Sequence, residues 1–304
     1  MKRVILSILI CLGFLFGVGA KAQQAGKSFE VNVTKDIRYH QGLPSDSDKH
    51  SLDLYLPVGQ KDYPIMIWIH GGAWAFGDKS NEADLAKSFA SRGIGVACIN
   101  HRISPATWRD AKYNKGIEHP EHIRDVARAF KWVYDHASQY DYRRSSVFVS
   151  GYSSGGHLAA LLAMDSQYLE DLGLHTEHIR GAIPLAGAYD IPAYYDVHLR
   201  HNGPELANGH VKGVFGQTRE ELQKASPTTY IGKTNVTMLV MSESQSYQYT
   251  KIFEDKVQAV GATNIQFYHI SDYDHRGFYQ HLAKSADSQY RDMIIDFIFE
   301  AHNL

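Results

Sequence analysis

Residues 146–161 read Ser-Val-Phe-Val-Ser-Gly-Tyr-Ser-Ser-Gly-Gly-His-Leu-Ala-Ala-Leu, and no other stretch restricts the fold as tightly. A short apolar run of buried-strand character leads into Gly151-Tyr152-Ser153-Ser154-Gly155, a G-x-S-x-G pattern, and a small-residue and leucine pattern of helical character follows. That context gives the pattern its meaning: a serine on a sharp strand-to-helix turn has its hydroxyl lifted clear of the sheet. Glycines two before and two after it remove Cβ atoms where strand and helix must pass closely. The first N–H groups of the helix are unsatisfied by the helix itself and lie beside the hydroxyl. Ser153 is the candidate nucleophile and the Ser154 N–H a candidate donor to a developing negative charge.

A second stretch fits the first. Pro64–Ile69 is apolar throughout, as a strand covered on both faces should be, and it ends in His70-Gly71-Gly72-Ala73-Trp74. Loops at the carboxyl ends of such strands are where ligands bind in open α/β sheets. Consecutive glycines let backbone N–H groups turn toward one point, so Gly72 and Ala73 join Ser154 as candidate oxyanion donors. His70 is read as a hydrogen-bonding support of this loop.

A serine hydroxyl needs a base, and the base an orienting acid, in the chain order Ser, acid, His. Of the 17 histidines, His275 has the right place, in the polar stretch Ser271-Asp272-Tyr273-Asp274-His275-Arg276-Gly277-Phe278 after the last predicted strand. The acid should follow the strand Val236–Met241, where Glu243 is the sole carboxylate of Ser242-Glu243-Ser244-Gln245-Ser246. Asp272 and Asp274 are too near His275 along the chain to orient it easily. Asp190 is a lesser alternative with the look of a capping residue, and His157 reads as packing or polar support. Trp74, Tyr152, Tyr194 and Tyr195 are candidate substrate contacts.

The rest of the chain sets the frame. Strands alternate with helices, among them Ala83–Ala90 and a long helix after Pro120, which predicts a mainly parallel sheet covered on both faces. Residues 187–235 are irregular, aromatic and interrupted by Gly and Pro, and read as a lid or binding region. Met1-Lys2-Arg3, an apolar run Val4–Val18 and Ala20-Lys21-Ala22 predict a signal peptide cleaved after Ala22 and a secreted or periplasmic domain of residues 23–304. Losing Lys2, Arg3 and Lys21 with it takes the formal charge from −2 to −5, with no basic block, so nucleic acid is excluded as an expected partner. No further apolar stretch is long enough to span a bilayer. Cys98, the one cysteine beyond the leader, lies in an apolar strand and reads as core. H-E-x-x-H, C-x-x-C, G-x-G-x-x-G and P-loop patterns are absent, and no metal or cofactor is expected.

From about Leu52 onward the chain resembles an α/β-hydrolase esterase of the hormone-sensitive-lipase, BD-FAE and arylformamidase branches. The residues carrying the resemblance are His70-Gly71-Gly72-Ala73-Trp74 with Gly77-Asp78-Lys79, Asn100-His101-Arg102-Ile103-Ser104, Asp125, Gly151–His157, Ala225-Ser226-Pro227 and Asp274-His275. The resemblance implies Ser153 as nucleophile, His275 as base and the same oxyanion donors. It departs at the acid: such esterases usually carry an aspartate in a His-Gly-x-x-Asp stretch, where this chain has Met241-Ser242-Glu243-Ser244-Gln245 and a shorter loop. The implied activity is that of a serine carboxylesterase on short-acyl or aryl esters, including acetyl or feruloyl groups on carbohydrates. An arylformamidase-like amide hydrolase and a catalytically weakened hydrolase-fold binding protein remain the alternatives. A prolyl-oligopeptidase-like peptidase is disfavoured by the glycine pair after His70.

Overall fold

The structure is a computed structural model that describes residues 28–42 and 46–304. The expected signal peptide and its cleavage point lie outside the described residues. Eight strands form one sheet: β1 (Val31–Arg38), β2 (Ser51–Pro57), β3 (Tyr63–Ile69), β4 (Gly95–Ile99), β5 (Tyr142–Tyr152), β6 (Gly181–Leu185), β7 (Met238–Glu243) and β8 (Ile265–Ile270). Their order across the sheet is β1-β2-β4-β3-β5-β6-β7-β8. β1 and β2 run antiparallel to their neighbours, and β3 through β8 are parallel. This is the expected α/β-hydrolase fold.

The two faces are read directly from the alternation of side chains along β3 and β5. Ile65, Ile67, Ile69, Val147 and Val149 point into one core, beneath α2 (Glu121–Asp135) and α3 (Ser154–Met164). Met66, Trp68 and Phe148 point into the other, beneath α1 (Ala83–Ala90) and two helices near the C-terminal end of the chain. Both faces of these strands are fully buried, which is why they are apolar at every one of these positions rather than alternating. Cys98 is unpaired and buried in β4. Among the described residues no helix is long and apolar enough to cross a membrane.

One expectation needs correction. Residues 187–235 are not irregular but mostly helical, beginning with α4 (Ile191–Asn202) and including short helical turns and α5 (Arg219–Lys224). The punctuating residues start helices rather than break them. Asp190 caps α4 by accepting the Ala193 N–H at 2.9 Å, with Pro192 in its first turn. Thr218 and Glu221 form a reciprocal capping box on α5. Ala207, Val211, Val214 and Phe215 are buried, so the region packs as part of the domain.

The loop after β4 is held by a buried ionic cluster. Asp125 on α2 accepts from His50 Nε2 at 3.1 Å, from Arg102 Nε at 2.8 Å and from Arg128 Nη1 at 2.7 Å. Burial by itself would raise the Asp125 pKa, but the hydrogen bonds from His50 and Arg102 and the guanidinium charge outweigh it and hold the carboxyl well below the usual carboxylate range. A carboxyl depressed in the folded state stabilises the fold above its unfolded pKa, near 4, and that contribution fades as pH falls toward the folded value. Asp125→Asn should therefore cost about 3–5 kcal/mol near neutral pH. Thermal unfolding followed from pH 7 to 3 should show the gap between wild type and variant narrowing below about pH 4. A constant gap over that range would mean that Asp125 is not held as a carboxylate.

Candidate active site

The site forms where four strand ends meet. β5 runs to Tyr152, and Ser153 sits between it and α3 with φ 57° and ψ −118°, a conformation L side chains rarely adopt. Such a conformation costs about 1–3 kcal/mol and persists only where the surroundings impose it. Here they do: the Ser153 N–H donates to the Leu185 carbonyl at 2.9 Å, and the Ser153 carbonyl accepts the His157 N–H at 3.1 Å. Gly155 is needed because a Cβ there would overlap the Ile69 carbonyl at the end of β3. The turn and the β3 loop are thus in backbone contact, closer than any side-chain-bearing residue permits.

The loop from His70 to Gly77 lies along that turn. A Cβ on Gly71 would meet the Tyr152 carbonyl oxygen at 2.8 Å and Ser153 Cβ at 3.3 Å. Ala73 and Trp74 both have positive φ, 55° and 58°, and Gly72 has φ 129°. The Gly72 carbonyl accepts the N–H groups of Ala75 and Phe76, which closes the loop on itself. Among the described residues the Gly72 and Ala73 N–H groups have no hydrogen-bond acceptor, and Ser154 opens α3, where the first N–H groups have none within the helix. These three backbone donors are the ones singled out from sequence. His70 supports the loop through a 2.9 Å contact of Nδ1 with the Gly71 carbonyl, and burial lowers its pKa to about 3, so it remains neutral.

Two further strand ends supply the titratable pair. Glu243 is the last residue of β7 and its side chain is fully buried. Its Oε1 lies 2.9 Å from His275 Nδ1. The same carboxylate accepts the Gln245 N–H at 2.6 Å and the Ser246 N–H at 3.0 Å. Burial pushes the Glu243 pKa up, but the hydrogen bonds from His275, Ser246 and Gln245 win, and the net shift is downward. An ionised carboxylate only accepts, so Nδ1 of a neutral His275 carries the proton and Nε2 is left as the basic nitrogen.

His275 does not lie in a loop, as its polar surroundings suggested, but opens α6 (His275–Lys284). Asp274 is the reason: it caps the helix by accepting the Gly277 N–H at 2.6 Å, which occupies the carboxylate away from the imidazole. Ser244 Oγ donates to the Tyr273 carbonyl at 2.8 Å, fastening the β7 loop to the β8 loop. Two residues that sequence reasoning did not assign to this task hold the backbone of His275 in place. Tyr152 donates its hydroxyl to the His275 carbonyl at 2.6 Å, with the two rings 5.0 Å apart. Gln245 accepts the His275 N–H through its side-chain oxygen at 3.2 Å. Because Tyr152 immediately precedes Ser153, the first contact brings His275 and the Ser153 turn to one place. Chain spacing gave no signal for it, since the two residues are 123 apart.

The candidate substrate contacts separate into two groups. Trp74 and Tyr152 are buried, with their polar atoms bonded inside the protein, and they lie beneath the site rather than facing solvent. Tyr194 and Tyr195 on α4 are partly exposed; the Tyr194 hydroxyl pairs with His210 Nε2 at 2.9 Å, and the Tyr195 hydroxyl donates to Asn208 at 3.0 Å. Asp190 is engaged in capping α4, accepts the Thr228 hydroxyl at 2.9 Å and pairs with Lys256, so it is committed elsewhere.

Comparison with known proteins places the chain by family and fold. The family model described as BD-FAE matches residues 52–247. A probable carboxylic ester hydrolase, LipM, of Mycobacterium tuberculosis is 32% identical over 173 residues, which is 55% of this chain and 38% of that protein. The chain spans 38–59% of the length of the first curated relatives it matches. Esterase B of Lactobacillus rhamnosis has a similar solved structure, with TM-score 0.74 and 16% identity, covering 93% of this chain and 92% of its own. A truncated carbohydrate esterase from gut microbiota superposes with TM-score 0.67 at 21% identity, covering 92% of this chain and 99% of that one.

Proposed function

The chain belongs to the BD-FAE family, and from that premise we propose that it is an exported serine carboxylesterase acting on short-acyl or aryl esters, with acetyl or feruloyl groups on carbohydrates as the substrate class. Ser153 Oγ attacks the ester carbonyl carbon while His275 Nε2 takes its proton. The carbonyl oxygen becomes an oxyanion held by the N–H groups of Gly72, Ala73 and Ser154. Collapse breaks the carbon–oxygen bond to the alcohol, which leaves with the proton from His275. Water, deprotonated by the same imidazole, then releases the acid from Ser153. Glu243 holds the imidazole in its Nδ1–H form and stabilises the positive charge it acquires. The observation that carries this reading is the 2.9 Å pair between His275 Nδ1 and a fully buried Glu243, braced by Tyr152 beside a strained serine.

Support for an ester substrate comes from the similarity to LipM, itself described as a probable carboxylic ester hydrolase. The partly exposed Tyr194 and Tyr195 favour a flat ring on the alcohol or acyl side. The sequence expectation of a leader favours a substrate outside the cytoplasm.

A phosphonate that reacts with activated serines should label the protein, and peptide mapping should place the adduct on Ser153. Turnover of a p-nitrophenyl series from acetyl to octanoyl should fall with chain length, and a feruloyl ester should be cleaved. An N-formyl aromatic amine cleaved faster than any ester would replace the carboxylesterase reading by the formamidase one. Neither labelling nor turnover would leave a binding protein built on the same fold.

A further inference from the structure

We propose that His157 is a positioning residue that ties the His70–Gly77 loop to the nucleophile helix and thereby keeps the Gly72 and Ala73 N–H groups aligned on Ser153. The proposal rests on the serine-hydrolase reading above and extends it to a residue with no contact to substrate.

The hydrogen-bond pattern fixes the tautomer. Indole nitrogen only donates, and Trp74 Nε1 lies 3.1 Å from His157 Nδ1, so Nδ1 is the unprotonated nitrogen. The proton is then on Nε2, which donates to the Ala225 carbonyl at 2.8 Å. Both ring nitrogens are used, the side chain is fully buried, and burial holds the pKa down to about 3. His157 thus has neither a lone pair nor a proton to offer to catalysis. What it has is position. Its N–H bonds the Ser153 carbonyl, so it stands one helical turn beyond the nucleophile.

The other end of this link is the part of the loop that most needs holding. Ala73 and Trp74 are consecutive residues with Cβ atoms in the left-handed region, which an unrestrained chain would leave. The Trp74 carbonyl accepts the Ser104 N–H at 2.8 Å, and the indole ring meets Phe215 edge-on at 4.8 Å. The indole N–H has one acceptor, His157. A residue that filled the same volume without an acceptor would leave that donor buried and unpaired and release the one directional restraint on the side chain next to Ala73. Through Ala225 the same imidazole also ties in the segment after α5, so loop, nucleophile helix and lid region meet on one ring.

Two amides separate the two bonds. Asparagine sets its oxygen near the place of Nδ1 and retains an acceptor for Trp74, whereas glutamine reaches the place of Nε2 with its amide N–H and retains only the bond to Ala225. For p-nitrophenyl acetate, His157→Gln should lower kcat about 10- to 100-fold with KM changed by less than about 3-fold, since the lost alignment matters mainly in the transition state. His157→Asn should recover much of that loss. Trp74→Phe should reproduce the His157→Gln defect, and the double variant should be little worse than either single one, as expected for one shared interaction.

Wild-type kcat in His157→Gln, equal damage in both amide variants, or full additivity with Trp74→Phe would overturn the proposal. So would a set of variants that lose melting temperature alike while the folded protein keeps its kcat, because that is packing without positioning. If the wild type itself turns over no ester, the proposal falls together with the esterase reading. If the wild type is active and Ser153→Ala is not, while His157→Gln is normal, only the positioning role is lost.

Discussion

Ser153→Ala should reduce kcat for p-nitrophenyl acetate by about 10⁴- to 10⁶-fold, the range expected when the nucleophile of a cooperating triad is removed. The loss should fall almost wholly on kcat. Alanine removes one oxygen atom from a residue whose backbone is held by Leu185 and His157 on either side. The proposed oxyanion donors Gly72, Ala73 and Ser154 are untouched, so KM should move little. Phosphonate labelling should vanish in parallel. The hydroxyl is not buried in a hydrogen-bond network of its own, and melting temperature should change by no more than a few degrees; the removal of left-handed strain is not at stake, since alanine carries the same Cβ. Residual turnover within about 10-fold of wild type would mean that the chemistry is carried elsewhere.

Glu243→Gln should be nearly as damaging, with a loss in kcat of about 10³- to 10⁴-fold. Glutamine matches the shape but carries an amide where the carboxylate now accepts three hydrogen bonds, from His275 Nδ1 and the N–H groups of Gln245 and Ser246. With one oxygen the side chain can satisfy some of these donors and must present its NH₂ to another. If the NH₂ faces His275, the imidazole is pressed into the opposite tautomer, with the proton on Nε2, and it can no longer act as a base toward serine. A variant with more than about one tenth of wild-type kcat would remove Glu243 from the acid role. Asp190 would not be its replacement, because that carboxylate is occupied by the α4 cap, Thr228 and Lys256.

What the sequence discloses here follows the range of the interactions involved. The β3 and β5 strands are legible because burial on both faces leaves no polar positions in them, and Ser153 because its turn, its glycines and its helix are contiguous. Glu243 and His275 can be singled out by their places after successive strands, since in a parallel sheet all such places gather at one edge. The helix opening at His275 is harder to see. Asp272, Asp274 and Arg276 make the stretch look like a solvated loop, yet Asp274 is polar in order to cap. The helices of 187–235 are missed because their glycines and prolines read as interruptions, although Pro192 lies in the first turn of α4. The supporting contacts are out of reach altogether. Trp74 meets His157 across 83 residues and Tyr152 meets His275 across 123, and nothing in local pattern connects such pairs.

The position of Glu243 also limits the routes by which this site can be altered. Its backbone lies in the β7–β8 ladder, in register with Ile270, so it cannot advance toward the imidazole without breaking strand pairing. Side-chain length and loop length are therefore a matched set: one extra methylene does here what a longer loop does for an aspartate. Glu243→Asp by itself, conservative on paper, withdraws the carboxylate from both His275 and the two N–H groups that seat it, and lengthening the loop by itself leaves the glutamate overshooting. With Glu243 in the proposed acid role, each single step should lower turnover, and the two together should restore it. A library that varies residue 243 without varying the length of the segment after it will find glutamate and little else.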